Sequence, residues 1–223
     1  QPTVVFSSSI AVYGPDPGLA MPVVVDEDTL PAPQTSYGTH KLMCEYLIAD
    51  YTRKGFIDGR SARLMTVAVR PGKPNGAASS FFSGIIREPL AGVEAVCPVD
   101  PSTAHPIASP QSTVLSLVGL MTAPRDVLKR RLAVTLPAVN VTVAQMLDAL
   151  ERVAGPAVRA RVRFEHDARI AGIVANWPRA AKATTATDVL GFPGDASFDA
   201  IIQQYIDDMR LAGQTATALK GLA

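Results

Sequence analysis

Three side chains near the N-terminus have the types and spacing for acid–base work on a hydroxyl: Ser9, Tyr37 and Lys41. Tyr37 and Lys41 stand as Y-G-T-H-K, and on a helix a spacing of four puts both side chains on one face, within reach of one ligand. A free phenol, with a pKa of about 10, is a poor base at neutral pH, but an ammonium beside it favours the phenolate. Ser9 closes the run TVVFSSS, and a hydroxyl at a strand end can hold a reacting oxygen while its charge changes. The Tyr–Lys spacing alone is weak and fits a surface pair better. Three features together favour chemistry: the strand ending in SSS, the IAVYG turn after it, and a later strand ending in RPG.

These residues need elements to position them. Thr3 to Phe6 is a short β-branched run, expected as a strand buried on both faces as in parallel sheets. Ser9 then lies at the C-terminal edge, where open α/β sheets bind ligands. Residues 15–35 are rich in proline and acid and predict a long functional loop. A helix is expected from near Ser36 to Lys54, burying Leu42, Cys44, Leu47, Ile48 and Tyr51 and stopped by Gly55. Ala62 to Val69 is the next strand, so the order strand, helix, strand implies a right-handed parallel crossover. Further on, helices are expected near 80–91, 112–123 and 197–210, and a strand at Leu132 to Leu136. Thr142 with Gln145 forms a capping box for a helix closed by Gly155 and Pro156. Val158 to Phe164 alternates with Arg159, Arg161 and Arg163, a half-buried strand whose arginines form either an anion site or a solvated face.

Composition narrows the class. The chain has 223 residues, 48% hydrophobic and 18% charged, enough for one or two globular domains. A net charge of +1 gives no basic excess for nucleic acid, and no apolar run reaches the roughly 18 residues of a membrane helix. Cys44 and Cys97, with His40, His105 and His166, show no metal-ligand spacing, so no metal is expected. Two isolated cysteines fit a reducing, cytoplasmic compartment.

FSSSIAVYG, the acidic proline-rich loop, SYGTHKLMCEYL and VAVRPG together resemble the extended short-chain dehydrogenase/reductase family, which includes sugar-nucleotide epimerases and dehydratases. The likeness covers residues 3–120 and then fades. It implies an α/β fold: the C-terminal half of a doubly wound parallel Rossmann-type sheet with a smaller mixed α/β substrate domain. The expected division is 1–75 for the cofactor-binding half, which a strand within 112–136 can rejoin, and 76–223 for mainly substrate binding. By position, Ser9 matches the family's catalytic serine, Tyr37 its base and Lys41 its ribose-binding lysine. Pro71 and Gly72 match the turn that contacts the nicotinamide end. The implied cofactor is NAD, with NADP left open, and a homodimer is expected by analogy. Nothing here fits a glycine-rich dinucleotide turn. The family architecture therefore implies about 100 further residues before Gln1, and the isolated chain is expected to be inactive and to bind NAD poorly.

A narrower likeness lies in RPGKPNGAASSFFSGIIREPLAG, residues 70–92, which is similar to the D-erythronate dehydrogenase group of that family. Ile10 and Ala11 stand where dehydratases carry an acid pair. Asn75, Ser79, Ser80 and Arg87 offer neutral donors and one guanidinium suited to a small hydroxy-carboxylate, with His105 as a further substrate contact. The plainer alternatives are that a serine caps the helix and Arg87 pairs with an acid. Trp177 is read as packing. The expected activity is NAD-dependent oxidation of a secondary hydroxyl of a small sugar acid, D-erythronate or similar. A sugar-nucleotide 4-epimerase and a non-catalytic NAD-binding module are the rivals.

Overall fold

A computed structural model describes residues 1–73 and 76–222. Three parallel strands form the first sheet, in the order β1 (Thr3–Ser9), β3 (Asp58–Leu64) and β7 (Val134–Thr135), with Thr3 facing Asp58 and Ala62 facing Val134. Helix α1 (Ser36–Arg53) is the crossover between β1 and β3. β2 (Val24–Val25) interrupts the long loop before it. β1 runs to Ser9 but is only half-buried: α1 and the helix Pro110–Thr122 both pack on it, while among the described residues it has a strand partner on one side alone, which leaves its other edge open.

The expected strand at 62–69 is split. The chain leaves the first sheet after Leu64, and β4 (Thr66–Val67) joins a second sheet of order β4–β6–β8, with β6 (Ala104–Ala108) and β8 (Val139–Thr142) antiparallel. That switch at Met65 carries Thr66 and Arg70 towards the end of β1 where Ser9 stands. β5 (Ala95–Cys97) pairs with β9 (Val162–Phe164), and β10 (Ala180–Ala181) with β2.

The largest core joins α2 (Ser80–Leu90), α5 (Val143–Ala154) and α8 (Phe198–Leu211) through Phe82, Ile86, Leu90, Met146, Leu150, Ile202 and Met209. Thr142 and Gln145 make the predicted capping box at the start of α5. α3 (Pro110–Thr122) packs on the first sheet, and α4 (Arg125–Leu128) follows it. α6 (Pro156–Arg159) takes up the start of the expected arginine strand, so β9 begins only at Val162; Pro156 favours a helical first turn there. α7 (Ala168–Val174) leads to Trp177, and α9 (Thr215–Ala218) ends the fold. Among the described residues, no helix is long and apolar enough to cross a membrane.

Candidate active site

α1 does not bury the face its apolar residues suggest. Leu47 and Tyr51 are 58% and 49% exposed, while Gly38 and Glu45 are buried. The inner face runs through Gly38, Lys41, Leu42, Glu45 and Ile48, at helical spacing. A Cβ on Gly38 would lie 2.1 Å from the Ala11 carbonyl oxygen, so only glycine lets the helix approach the 3₁₀ turn Ile10–Val12 this closely. Glu45 is tolerated inside because Arg63 of β3 pairs with it at 2.7 Å and Ser8 of β1 donates to it at 2.5 Å. Arg63 also donates to the Tyr13 hydroxyl at 2.5 Å, and burial pushes that phenol's pKa above its usual value. One buried network therefore ties α1, β1, β3 and the turn together, and it fixes Tyr37 and Lys41 relative to Ser9.

Thr35 caps α1, accepting from the Gly38 amide at 3.1 Å, and the Tyr37 ring emerges 56% exposed one turn before Lys41. Lys41 Nζ donates to the Ser7 carbonyl at 2.6 Å and lies 5.5 Å from the Tyr37 ring centroid. Ser9 Oγ accepts from the Ala11 amide at 3.1 Å, which leaves its own proton for a ligand oxygen. Ser9, Tyr37 and Lys41 line one cavity of about 570 Å³, together with Thr66, Arg70, Ser79, His105 and Trp177. Lys41 and Arg70 are its two cations, and no carboxylate lines it among the described residues.

The other sequence candidates separate. Ser79 stands at the α2 N-cap without a side-chain cap bond and faces the cavity, whereas Ser80 lines the neighbouring groove. Asn75 lies outside the described residues. Pro71 and Gly72 form an exposed turn beside Arg70, with Gly72 at φ +103°, and do not line the cavity. Arg87 is turned away from it. Its guanidinium is held by Glu88 at 2.6 Å and donates to the Arg70 carbonyl at 2.9 Å, so it braces Arg70 from behind. The arginines near β9 serve the surface: Arg163 pairs with exposed Glu165, and Arg161 reaches the carbonyls of Ala157 and Gly221.

Three wall residues escaped the sequence reading. Thr66 and Arg70 stand in the run ending RPG, but their orientation depends on the change of sheet at Met65. Trp177 does pack, as expected, with its ring 5.4 Å from His105, yet it also faces the cavity.

The sequence pattern of the NAD dependent epimerase/dehydratase family matches residues 1–101. The D-erythronate dehydrogenase of Cupriavidus necator is 51% identical over 212 residues, 95% of this chain and 64% of that protein. The chain is similar to this family over nearly its whole length. A D-erythronate dehydrogenase of Haemophilus influenzae is 44% identical over 203 residues, 91% of this chain and 63% of that one. The chain thus spans a little under two thirds of the length of these two relatives. Among solved structures, a protein described as the nucleoside-diphosphate-sugar epimerase of Agrobacterium tumefaciens superposes with a TM-score of 0.89 at 42% identity, covering 96% of this chain and 60% of that one. L-threonine 3-dehydrogenase of Trypanosoma brucei, at 23% identity and a TM-score of 0.81, covers 93% of this chain and 62% of its own. It shares the fold.

Proposed function

We propose that the full-length protein is an NAD-dependent dehydrogenase that oxidises a secondary hydroxyl of a small sugar acid, D-erythronate or a close relative. The observation that carries this is a single cavity holding Ser9, Tyr37 and Lys41 with two cations and no carboxylate among its described lining residues. That charge balance suits an anionic substrate, and both D-erythronate dehydrogenases are similar over more than nine tenths of the chain. The donor set also fits a nicotinamide riboside: an exposed phenol, an ammonium 5.5 Å from its ring, and an exposed Pro71–Gly72 turn nearby.

In this reading Tyr37 takes the proton of the substrate hydroxyl, and Ser9 donates to the same oxygen as it becomes a carbonyl. Lys41 favours the phenolate and holds the ribose. When bound, the nicotinamide supplies the acceptor for the hydride that leaves the carbinol carbon. Arg70 takes the carboxylate, and Ser79 completes the polar wall. A homodimer is part of the same proposal, since α1 and α3 each expose an apolar face, Met43, Tyr46 and Leu47 on one and Val114, Val118 and Met121 on the other. The unpaired cysteines Cys44 and Cys97 suit a cytoplasmic location.

The test incubates full-length protein with D-erythronate or, separately, with a nucleoside-diphosphate sugar, each with NAD or NADP, and follows the reduced cofactor and the sugar product. Net reduction with NAD supports the reading. Epimerised sugar nucleotide with no net reduced cofactor would replace it with the epimerase function, after the description of the Agrobacterium protein.

A further inference from the structure

His105 and Thr66 form a polar pair on the cavity wall that the proton transfer just described does not use. His105 is 1% exposed, stacked on Phe82 at 5.1 Å between centroids and flanked by Trp177. Its Nδ1 lies 3.0 Å from the Pro178 carbonyl oxygen. A carbonyl can only accept, so Nδ1 must carry a proton. Complete burial among aromatic and neutral groups pushes the pKa of His105 down to about 4, so the ring holds no second proton at neutral pH. Nε2 is therefore a bare lone pair, and Thr66 Oγ1 lies 2.7 Å from it. The threonine hydroxyl must donate to that lone pair, which commits its one proton. What Thr66 presents to the cavity is then only acceptor capacity.

We propose that Thr66, with its proton committed to His105, is a specificity-determining residue that accepts a hydrogen bond from a second hydroxyl of the substrate, one beyond the carbon being oxidised. The proposal rests on the dehydrogenase reading and narrows its substrate class. Ser9 and Tyr37 engage the reacting hydroxyl and Arg70 the carboxylate, so a simple 2-hydroxy acid leaves Thr66 facing nothing. A polyhydroxy acid supplies the missing donor, while a group offering only lone pairs at that point meets those of Thr66 and is disfavoured. His105 acts through Thr66 and is a positioning residue.

Two measurements on the full-length protein test this. The first compares kcat/KM for D-erythronate, 2,3-dihydroxybutanoate and 2,4-dihydroxybutanoate in the wild type, Thr66→Val and Thr66→Ser. The wild type should favour D-erythronate over at least one deoxy acid by about tenfold to a hundredfold, the effect of an acceptor left without its donor. Thr66→Val should erase that preference by slowing D-erythronate while leaving the deoxy acid nearly unchanged, and Thr66→Ser should keep it. Equal slowing of all three acids by Thr66→Val would overturn the proposal while leaving the dehydrogenase reading intact. A wild type that oxidises none of the acids overturns the reading, and with it the substrate assigned here. The second measurement stands apart from activity: nitrogen-15 spectra of His105 at neutral pH should show a protonated Nδ1 and an unprotonated, hydrogen-bonded Nε2 whose resonance moves in Thr66→Val. The opposite tautomer would make Thr66 a donor and sink the argument.

Discussion

The two walls of the cavity are built on different principles. The wall that bears Ser9, Tyr37 and Lys41 comes from one strand and the helix that follows it, and it is anchored by a buried ionic network, Ser8–Glu45–Arg63–Tyr13. The facing wall gathers Thr66, Arg70, Ser79, His105 and Trp177 from separate segments. Its anchors are mostly neutral: a histidine bonded to a backbone carbonyl, stacked aromatic rings, and an arginine whose amide is tied to Ser83, the one charged brace being Arg87, paired with Glu88, on the Arg70 carbonyl. A buried ion pair loses several kcal/mol when either partner is removed, whereas a neutral hydrogen bond loses about one. In the proposed dehydrogenase the first wall is thus the costlier to disturb, which suits proton transfer, and the second can differ in detail, which suits recognition.

The largest effect should come from the first wall. Tyr37→Phe keeps the ring and removes the hydroxyl, so kcat should fall by roughly 10²–10⁴ with little change in stability, because Tyr37 is more than half exposed. Retained turnover in the full-length enzyme would remove Tyr37 from the chemistry. Glu45→Gln tests the anchor. It leaves the Arg63 guanidinium buried without its counter-charge and should cost roughly 3–5 kcal/mol of folding stability. Glu45 does not line the cavity but anchors the helix that carries Tyr37 and Lys41, so denaturant midpoints should shift and kcat of the folded fraction should fall by less than in Tyr37→Phe. An unchanged midpoint would mean that the network does not hold the helix.

That contrast also explains what could be read from the sequence. The first wall was legible because its residues are local: Tyr37 and Lys41 are four apart on one helix, and Ser9 ends the strand before it. The strand–helix–strand crossover and the Thr142 capping box were legible for the same reason. The buried side of α1 was misjudged because apolar spacing does not reveal that a glutamate is carried inside by an arginine 18 residues away. Thr66 and His105 lie 39 residues apart, and Pro178 a further 73, so no local pattern joins them. Arg87 reads from sequence either as an anion ligand or as the partner of an acid, and the structure has the second, with Glu88 and the Arg70 carbonyl occupying it.

The second wall has a pH signature that the first does not share. His105 is faced by Phe82, Trp177, Thr66 and the Pro178 carbonyl, and Lys41 and Arg70 are the cations of the same cavity. Its folded pKa of about 4 lies below the unfolded value of 6.5, so between these values the unfolded chain takes up a proton that the native state does not. Stability should fall as pH drops from 6.5 towards 4, by roughly 3 kcal/mol at most, and this contribution should level off below that. The difference between wild type and His105→Phe, followed by denaturation across this range, isolates it from the carboxylates. Parallel curves would place the ring in contact with solvent.

The smallest effect separates the walls most directly. Arg70 has a fixed backbone, since its amide donates to Ser83 Oγ at 3.2 Å and its carbonyl accepts from Arg87, but no carboxylate pairs with its side chain among the described residues. Arg87, by contrast, has Glu88. A guanidinium on a cavity wall with no carboxylate partner among the described residues is suited to a ligand carboxylate, where a charge-assisted pair contributes roughly 1.5–3 kcal/mol. A substrate carboxylate carries the same charge before and during hydride loss, so this interaction stabilises ground and transition states alike. Arg70→Gln should therefore raise KM for the sugar acid by about tenfold to a hundredfold with kcat nearly unchanged. Arg70→Lys should recover only part, because an ammonium lacks the planar fork. Steady-state kinetics of both variants beside Tyr37→Phe gives the comparison: loss in KM on the recognition wall, loss in kcat on the chemical one. If Arg70→Gln instead lowers kcat at constant KM, Arg70 acts on the reacting oxygen, and the division of labour between the two walls does not hold.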